Sequence, residues 1–441
     1  MMENRTVWQL LEARAQGCAD DVALISGGGR AYTYGELWRQ VERTAGALAG
    51  RGICRNDRVA IVLPDGPEMV VTFLATVAVA ASAPLNPAYS LDDFLFYLGD
   101  LRARVLITAE GTAPLAQQAA AKLGIPVLLV REASRGESLL PAPDACASAG
   151  AGEEKVGEWA QSQDVALVLH TSGTTAKPKQ VPLLHQNLAY SARNIAQSLG
   201  LGAGDRCLNV MPLFHVHGLI GAVLSSLVSG GSVVCTGGFS AGKCFEWMQR
   251  HSPTWFTAVP TMHQALLAEL GRGGVLPARG QLRFVRSCSS ALAPKLMGEL
   301  EQAWGVPVIE AYGMTEASHQ MASNPLPPAV RKAGSVGVAT GTEVAVMDAG
   351  GELLPADTVG EVVVRGENVT RGYEGNDEAN VKSFTNGWFR TGDQGRLDSA
   401  GYLFLTGRLK EIIIRGGEKI APREIDEVLL EHPAVARAAF T

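Results

Sequence analysis

Between residues 22 and 312 of this 441-residue chain, short apolar runs alternate with amphipathic or apolar helical stretches, and that alternation constrains the fold more than any other feature. VALIS at 22–26 precedes the amphipathic YGELWRQVERTAGALAGRG at 34–52. VAIVL at 59–63 precedes MVVTFLATVAVAASAPL at 69–85, and VLIT follows at 105–108. A second series runs through VALVLH at 165–170, a helical stretch over 187–198, GSVVC at 231–235, a helix near 244–250, WFTAV at 255–259, LRFVRSC at 282–288 and VPVIEAY at 306–312. Strand and helix signals in alternation predict mostly parallel sheets covered by helices, here in two βα-layered subdomains. The run at 69–85 is too short and too proline-stopped for a membrane span and reads as a buried helix.

Around 334 the texture changes. TEVAVMD, GEVVVRG and YLFLTG, separated by turn signals, predict a small distorted β-barrel or sheet. Residues 139–156, rich in Ala, Gly and Pro, read as a surface connection. Beyond 408 come a short apolar element at 412–414, a glycine pair, and a helix over 422–432 that starts on Pro422. The expected organisation is α/β: a large N-terminal domain over 1–408, then the beginning of a small α+β C-terminal domain over 409–441 that the chain leaves unfinished.

A formal net charge of −6 with no basic run argues against nucleic acid as a partner. Seven scattered cysteines without a CxxC pair suggest neither a disulfide framework nor a zinc site, and fit a reducing, cytoplasmic setting. The N-terminus lacks the apolar core of a signal peptide.

The chemistry concentrates in TSGTTAKPKQ at 171–180. An apolar strand runs into hydroxyl residues and lysines, with a helix expected after Leu184, so hydroxyls, backbone N–H groups and cationic ends converge as a polyphosphate requires. The GxxxxGK[ST] spacing of a Walker loop is absent, so a plain polar turn stays open on this segment alone.

With YTYGEL at 32–37, DRVAIVLPDGPE at 57–68, AYGMTE at 311–316, TGD at 391–393, GRLKE at 407–411 and RGGEKI at 415–420, the chain resembles the acyl-adenylate-forming superfamily of acyl-CoA synthetases, luciferases and peptide-synthetase adenylation domains. Four further segments are similar to oxalate:CoA ligase-like synthetases: PLFHVHGL at 212–219, TAVPT at 257–261, RSCSSALAP at 286–294 and ASHQMASNPLP at 317–327. The resemblance implies attack of a carboxylate on the α-phosphorus of ATP, giving an acyl-adenylate and pyrophosphate, then displacement of AMP by the thiol of CoA. Both steps depend on positioning and charge stabilisation.

By resemblance, Thr171, Ser172, Gly173, Thr174, Thr175 and Lys179 hold the β- and γ-phosphates. Ala311, Tyr312, Gly313 and Met314 frame the adenine, with the Tyr312 ring stacked on it. Thr315 touches the α-phosphate and Glu316 holds Mg²⁺. Ser290 and Ala291 approach the adenine through backbone atoms, and Asp393 and Arg408 take the ribose. His215 lines the acyl pocket and gates the pantetheine tunnel, while His217, Ser289 and His319 are placed to receive a small dicarboxylate. Lys410 is the hinge of the C-terminal domain, and Gly417 reaches the CoA channel.

Two positions depart from the pattern. Ala176 and Gln180 stand where glycine is usual, and the Gln180 side chain is expected to crowd the pyrophosphate end. That leaves three readings. In the first, a complete ligase runs both half-reactions. In the second, an adenylation-impaired ligase takes acyl-AMP from a separate enzyme and passes the acyl group to CoA. The third is a non-catalytic nucleotide or acyl-AMP binding protein. A carrier-protein thiol remains an alternative acceptor to CoA.

Overall fold

The computed structural model describes residues 5–131, 137–141, 158–171, 178–273, 275–276, 281–411, 413–415, 418–420, 425, 429 and 435. Two large sheets carry the N-terminal part. The first has six strands, in the order Val127–Val130, Val105–Ala109, Arg58–Ile61, Ala81–Pro84, Val165–His170, Gln180–Leu184. All its pairings are parallel except the last, which is antiparallel. The second has nine strands, and its centre is parallel: Val308–Met314, Phe284–Ser287, Trp255–Ala258, Arg206–Asn209, Ser232–Cys235 and Val22–Ser26 lie side by side in that order.

The helix between the first two strands of the six-stranded sheet shows why sequence dictates this layering. Pro67 sits in its first turn, where the missing N–H costs nothing, and every residue of Pro67–Val79 except Glu68 is buried. The apolar stretch at 69–85, expected as one buried helix, is helical only to Val79 and continues as the buried strand Ala81–Pro84. Each of its large side chains contributes about 1.5–3 kcal/mol by leaving water. Helix Tyr34–Ala49 instead buries one stripe, and a reciprocal capping box between Thr33 and Glu36 fixes its start. No helix among the described residues is long and apolar enough to cross a membrane.

The short C-terminal strands form an antiparallel sheet: Glu343–Met347, Gly360–Arg365, Trp388–Leu397 and Phe384–Thr385, with Leu403–Arg408 paired to Trp388–Leu397. The path is open; no pairing among the described residues joins its ends into a ring. Beyond it, Ile413–Arg415 and Glu418–Ile420 make a two-stranded hairpin. The helix expected over 422–432 and the segment 142–157 lie almost wholly outside the described residues.

One expectation about a connecting segment changes. Leu139 and Leu140 are not part of a surface connection but are buried in the main core, and the Leu139 amide donates to Thr44 Oγ1 at 3.1 Å. The helix expected after Leu184 does begin at His185, and the residues before it, Gln180–Leu184, form a strand antiparallel to Val165–His170. That helix starts at the far end of this strand from Lys179, so its N-terminus supplies no N–H groups beside Lys179.

Candidate active site

The candidate residues Ser289, Ser290, Ala291, Thr315 and Glu316 lie beyond the carboxyl ends of parallel strands of the nine-stranded sheet, where open α/β sheets bind their ligands. Thr257 and Arg286 are register partners on adjacent strands. Ser289, Ser290 and Ala291 follow the strand Phe284–Ser287 and are exposed; Thr315 and Glu316 follow Val308–Met314.

At the nucleotide end, Asp393 lies opposite Arg408 across the antiparallel pair and Arg408 Nε approaches its Oδ1 at 3.1 Å. The Tyr312 hydroxyl donates to Oδ2 of the same carboxylate. Burial pulls the Asp393 carboxyl up from its ordinary value, and Arg408 and the Tyr312 hydroxyl act against it. A carboxylate with about four lone-pair sites retains acceptor capacity for a diol beside these two contacts. Ala311 is buried, while Gly313, Met314 and Thr315 are half-buried.

Glu316 is buried, and its Oε1 accepts the Tyr373 hydroxyl at 2.8 Å. Tyr373 also spreads its ring under Lys179, whose Nζ sits 4.3 Å from the ring centroid. Thr171 and Lys179 meet across the hairpin, the Thr171 amide donating to the Lys179 carbonyl at 3.0 Å. The Tyr373 ring therefore joins the lysine of the loop to the acid of the AYGMTE segment. Ser172, Gly173, Thr174, Thr175 and Ala176 lie outside the described residues, as does Gly417. Lys410 is exposed in the turn after Arg408, where the Leu409 amide is held by the Gly392 carbonyl at 2.9 Å.

Gln180 does not crowd this region as expected. Strand alternation turns its side chain to the face opposite Lys179. There Arg58 Nη1 donates to Gln180 Oε1 at 2.6 Å, and Gln180 Nε2 donates to both the backbone oxygen and Oδ2 of Asp100 at 2.8 Å. Arg58 continues to Glu374, whose amide donates to the Gln180 carbonyl at 3.1 Å. Gln180 thus ties the lysine end of the hairpin to the first sheet and to the segment carrying Tyr373. Gln180→Gly is expected to raise KM for ATP about two- to fivefold, the loss of roughly one hydrogen bond, without raising pyrophosphate exchange. Faster exchange in the variant would restore the crowding idea.

The acid end centres on Arg286, which is fully buried. Its Nη1 reaches His217 Nε2 at 3.4 Å and Thr257 Oγ1 at 3.2 Å; its Nη2 reaches His319 Nε2 at 3.2 Å and Gln320 Oε1 at 2.8 Å. Burial drives both imidazoles well below the usual histidine value, with the facing His319 and then Arg286 acting the same way on His217 and Arg286 alone on His319, so each is neutral at pH 7. Guanidinium remains cationic even where burial draws it down. Among the described residues no carboxylate pairs with Arg286; the buried Cys288 thiol is its other polar neighbour, and its Nε–H has no well-aligned acceptor. His217 Nδ1 lies 2.9 Å from Ser289 Oγ, so the chain of contacts ends on an exposed hydroxyl. His215, by contrast, is exposed beside Phe214 and stands outside this cluster of contacts.

Local backbone is bent to hold this arrangement. Ser289, Ser318 and His319 all have positive φ, at 73°, 51° and 98°. Such conformations cost roughly 1–3 kcal/mol each and persist where surrounding structure imposes them, frequently at active sites. His217 opens a π-helical turn, His217–Leu224, another feature enriched at functional sites.

Two residues that sequence reasoning passed over are central here. Arg286 sits inside an apolar strand run, where one charge reads as an exposed strand position; only the tertiary fold shows it enclosed. Tyr373 lies in a turn-rich segment, and its link to Glu316 spans 57 residues. A signal for Arg286 was present in RSCSSALAP, which contains the strand's only charge beside Ser289.

Comparison with known proteins agrees with this geometry. The AMP-binding enzyme family matches residues 11–374. An oxalate–CoA ligase of Arabidopsis thaliana is 45% identical over 445 residues, covering 99% of this chain and 85% of that protein. An oxalate–CoA ligase of Saccharomyces cerevisiae is 44% identical over 408 residues, covering 88% and 74%. Among solved structures, o-succinylbenzoate coenzyme A synthetase of Bacillus subtilis in complex with ATP and magnesium ion superposes with a TM-score of 0.83 at 31% identity, covering 98% of this chain and 86% of that one. Ordered motifs, sheet architecture and these matches together place the chain in the AMP-binding enzyme family.

Proposed function

We infer that the chain is an AMP-forming acyl-CoA ligase, and propose that its acid is a small dicarboxylate such as oxalate. The observation that carries the acid assignment is the fully buried Arg286, whose guanidinium faces no carboxylate among the described residues. An unpaired buried charge costs several kcal/mol, and a second carboxylate on the substrate would offset that cost. The name of the plant and yeast relatives points the same way.

In this reading residues 1–408 form the adenylating body, and 409–441 begin a C-terminal domain that turns about Lys410 and brings Gly417 to the CoA channel. Thr171, Ser172, Gly173, Thr174, Thr175 and Lys179 grip the β- and γ-phosphates. Ser290, Ala291, Ala311, Tyr312, Gly313 and Met314 frame the adenine. Asp393 and Arg408 hold the ribose hydroxyls, and Thr315 donates to the α-phosphate. Glu316 offers one carboxylate to Mg²⁺, which fits an ion held largely by phosphate oxygens and water. The ion would neutralise phosphate charge.

Arg286, His319 and Ser289 anchor the far carboxylate through His217-supported contacts, leaving the near one free to attack the α-phosphorus. The P–O bond to pyrophosphate breaks as the acyl–phosphate bond forms. The CoA sulfur then bonds to the acyl carbon and AMP leaves, with His215 at the mouth of the acyl pocket. With the Gln180 side chain held by Arg58 and Asp100, the reading is of a ligase that runs both half-reactions with CoA as acceptor.

The test is ester formation with ATP, CoA and a matched acid panel. Oxalate and malonate should exceed acetate and propionate by at least about tenfold in kcat/KM, a difference of about 1.4 kcal/mol. Equal or better turnover of the monocarboxylates would overturn the assignment.

A further inference from the structure

We propose that Arg286 is a positioning residue that sets the tautomers of His217 and His319, placing the proton of each imidazole on Nδ1 so that Ser289 faces the acid as a hydrogen-bond donor. It rests on the ligase reading only for what the donor binds; the proton arrangement itself follows from the geometry.

A guanidinium can only donate. Its two terminal nitrogens lie against Nε2 of His217 and Nε2 of His319, at 3.4 and 3.2 Å. Each Nε2 must then present its lone pair, since a hydrogen there would set two donors head to head in a site from which water is excluded. A neutral imidazole has one proton, so it moves to Nδ1 in both rings.

The remaining contacts agree with that assignment. The Thr257 hydroxyl accepts from Arg286 Nη1 at 3.2 Å and is 2.6 Å from His217 Nε2, so its own hydrogen takes that ring's lone pair as the main donor, with the longer Arg286 contact disfavouring a proton there. His217 Nδ1–H then donates to Ser289 Oγ at 2.9 Å. Ser289 Oγ, having accepted, keeps its hydrogen for an outside partner, and Ser289 is exposed where that partner arrives. With the opposite tautomer Ser289 would spend its hydrogen on His217 and turn lone pairs toward an incoming carboxylate, which would repel it.

Packing fixes the position of both rings. An added Cβ on Gly221 would lie 2.3 Å from both Cδ2 and Nε2 of His319, and one on Gly313 would lie 2.9 Å from its Nδ1. The imidazole fills the space that these two glycines leave. His217 is held at both nitrogens, and the two rings sit 5.0 Å apart.

The experiment uses the full chain labelled with ¹⁵N only in histidine, with no acid or nucleotide added. Long-range proton–nitrogen spectra report which ring nitrogen carries the proton. The resonances of His217 and His319 are assigned by His217→Gln and His319→Gln, among eight histidines in all. Both rings are expected as the Nδ1–H form, the one that neutral histidine in water disfavours. In Arg286→Met at least one ring should revert to Nε2–H, with KM for the dicarboxylate rising at least tenfold. Arg286→Lys, still a donor, should keep Nδ1–H.

If Arg286→Met does not fold, the wild-type spectrum with Thr257→Val decides: loss of the threonine hydroxyl leaves Arg286 as the sole partner of His217 Nε2, and the tautomer should hold. An Nε2–H signal for either ring in the wild type, or an unchanged pair in folded Arg286→Met, overturns the proposal. The spectra need no substrate, so a monocarboxylate preference in the acid panel would sink the dicarboxylate reading and leave the tautomer result standing.

Discussion

Arg286→Met should lower kcat/KM for a dicarboxylate by about 10²–10³-fold, because removing one partner of a buried charge pair costs about 2–5 kcal/mol. The loss should appear only with substrates that carry the second carboxylate. Stability should behave differently. Taking an unpaired cation out of the core relieves a desolvation cost, while leaving His217, His319 and Gln320 without their donor removes about 1 kcal/mol per hydrogen bond. These terms oppose each other, so the unfolding midpoint should move by only a few degrees. A large activity loss with near-constant stability marks a side chain held in place for a ligand, in keeping with the usual tension between function and stability. Equal losses with oxalate and with acetate would show that Arg286 acts on the general architecture of the site instead.

Most of the layering was legible before any coordinates, since it depends on periodicity. The strands at 22–26, 105–109, 165–170 and 360–365 and the helices at 34–49 and 67–79 follow from alternating or continuous apolar patterns. The strand Gln180–Leu184 was not legible, because Pro182 sits inside it and proline normally argues against a strand. Topology supplies the reason it is tolerated: this strand is the edge of the six-stranded sheet. Gln180 was misread for a related cause. Its residue type warned of crowding, but which side it faces depends on strand register, and register became visible only when the hairpin partner was known. Arg286 needed the whole fold, since its enclosure comes from His217, Thr257, His319 and Gln320, contributed by three separate segments.

Gly313→Ala should abolish both pyrophosphate exchange and thioester formation, a loss beyond about 10³-fold, and destabilise the protein by about 1–3 kcal/mol or more. Its Cβ would stand 2.1 Å from the carbonyl oxygen of His319 and 2.6 Å from the carbonyl carbon. Backbone cannot yield as a side chain can, so strands Val308–Met314 and His319–Ser323 must part at the point where their register shifts. Tyr312, Thr315 and Glu316 lie on one side of that junction and His319 on the other, so one displacement disturbs the nucleotide and acid ends together. Gly221→Ala is the informative contrast. Its Cβ meets side chains rather than backbone, the His319 imidazole at 2.3 Å and His217 Cδ2 at 3.5 Å, so it should raise KM for the acid while ATP binding, measured by calorimetry, stays near that of the wild type. If Gly313→Ala kept exchange activity while losing acid selectivity, the junction would not couple the two ends. The adenylate site would then be held by the Tyr373 link between Lys179 and Glu316, a contact independent of the strand pair.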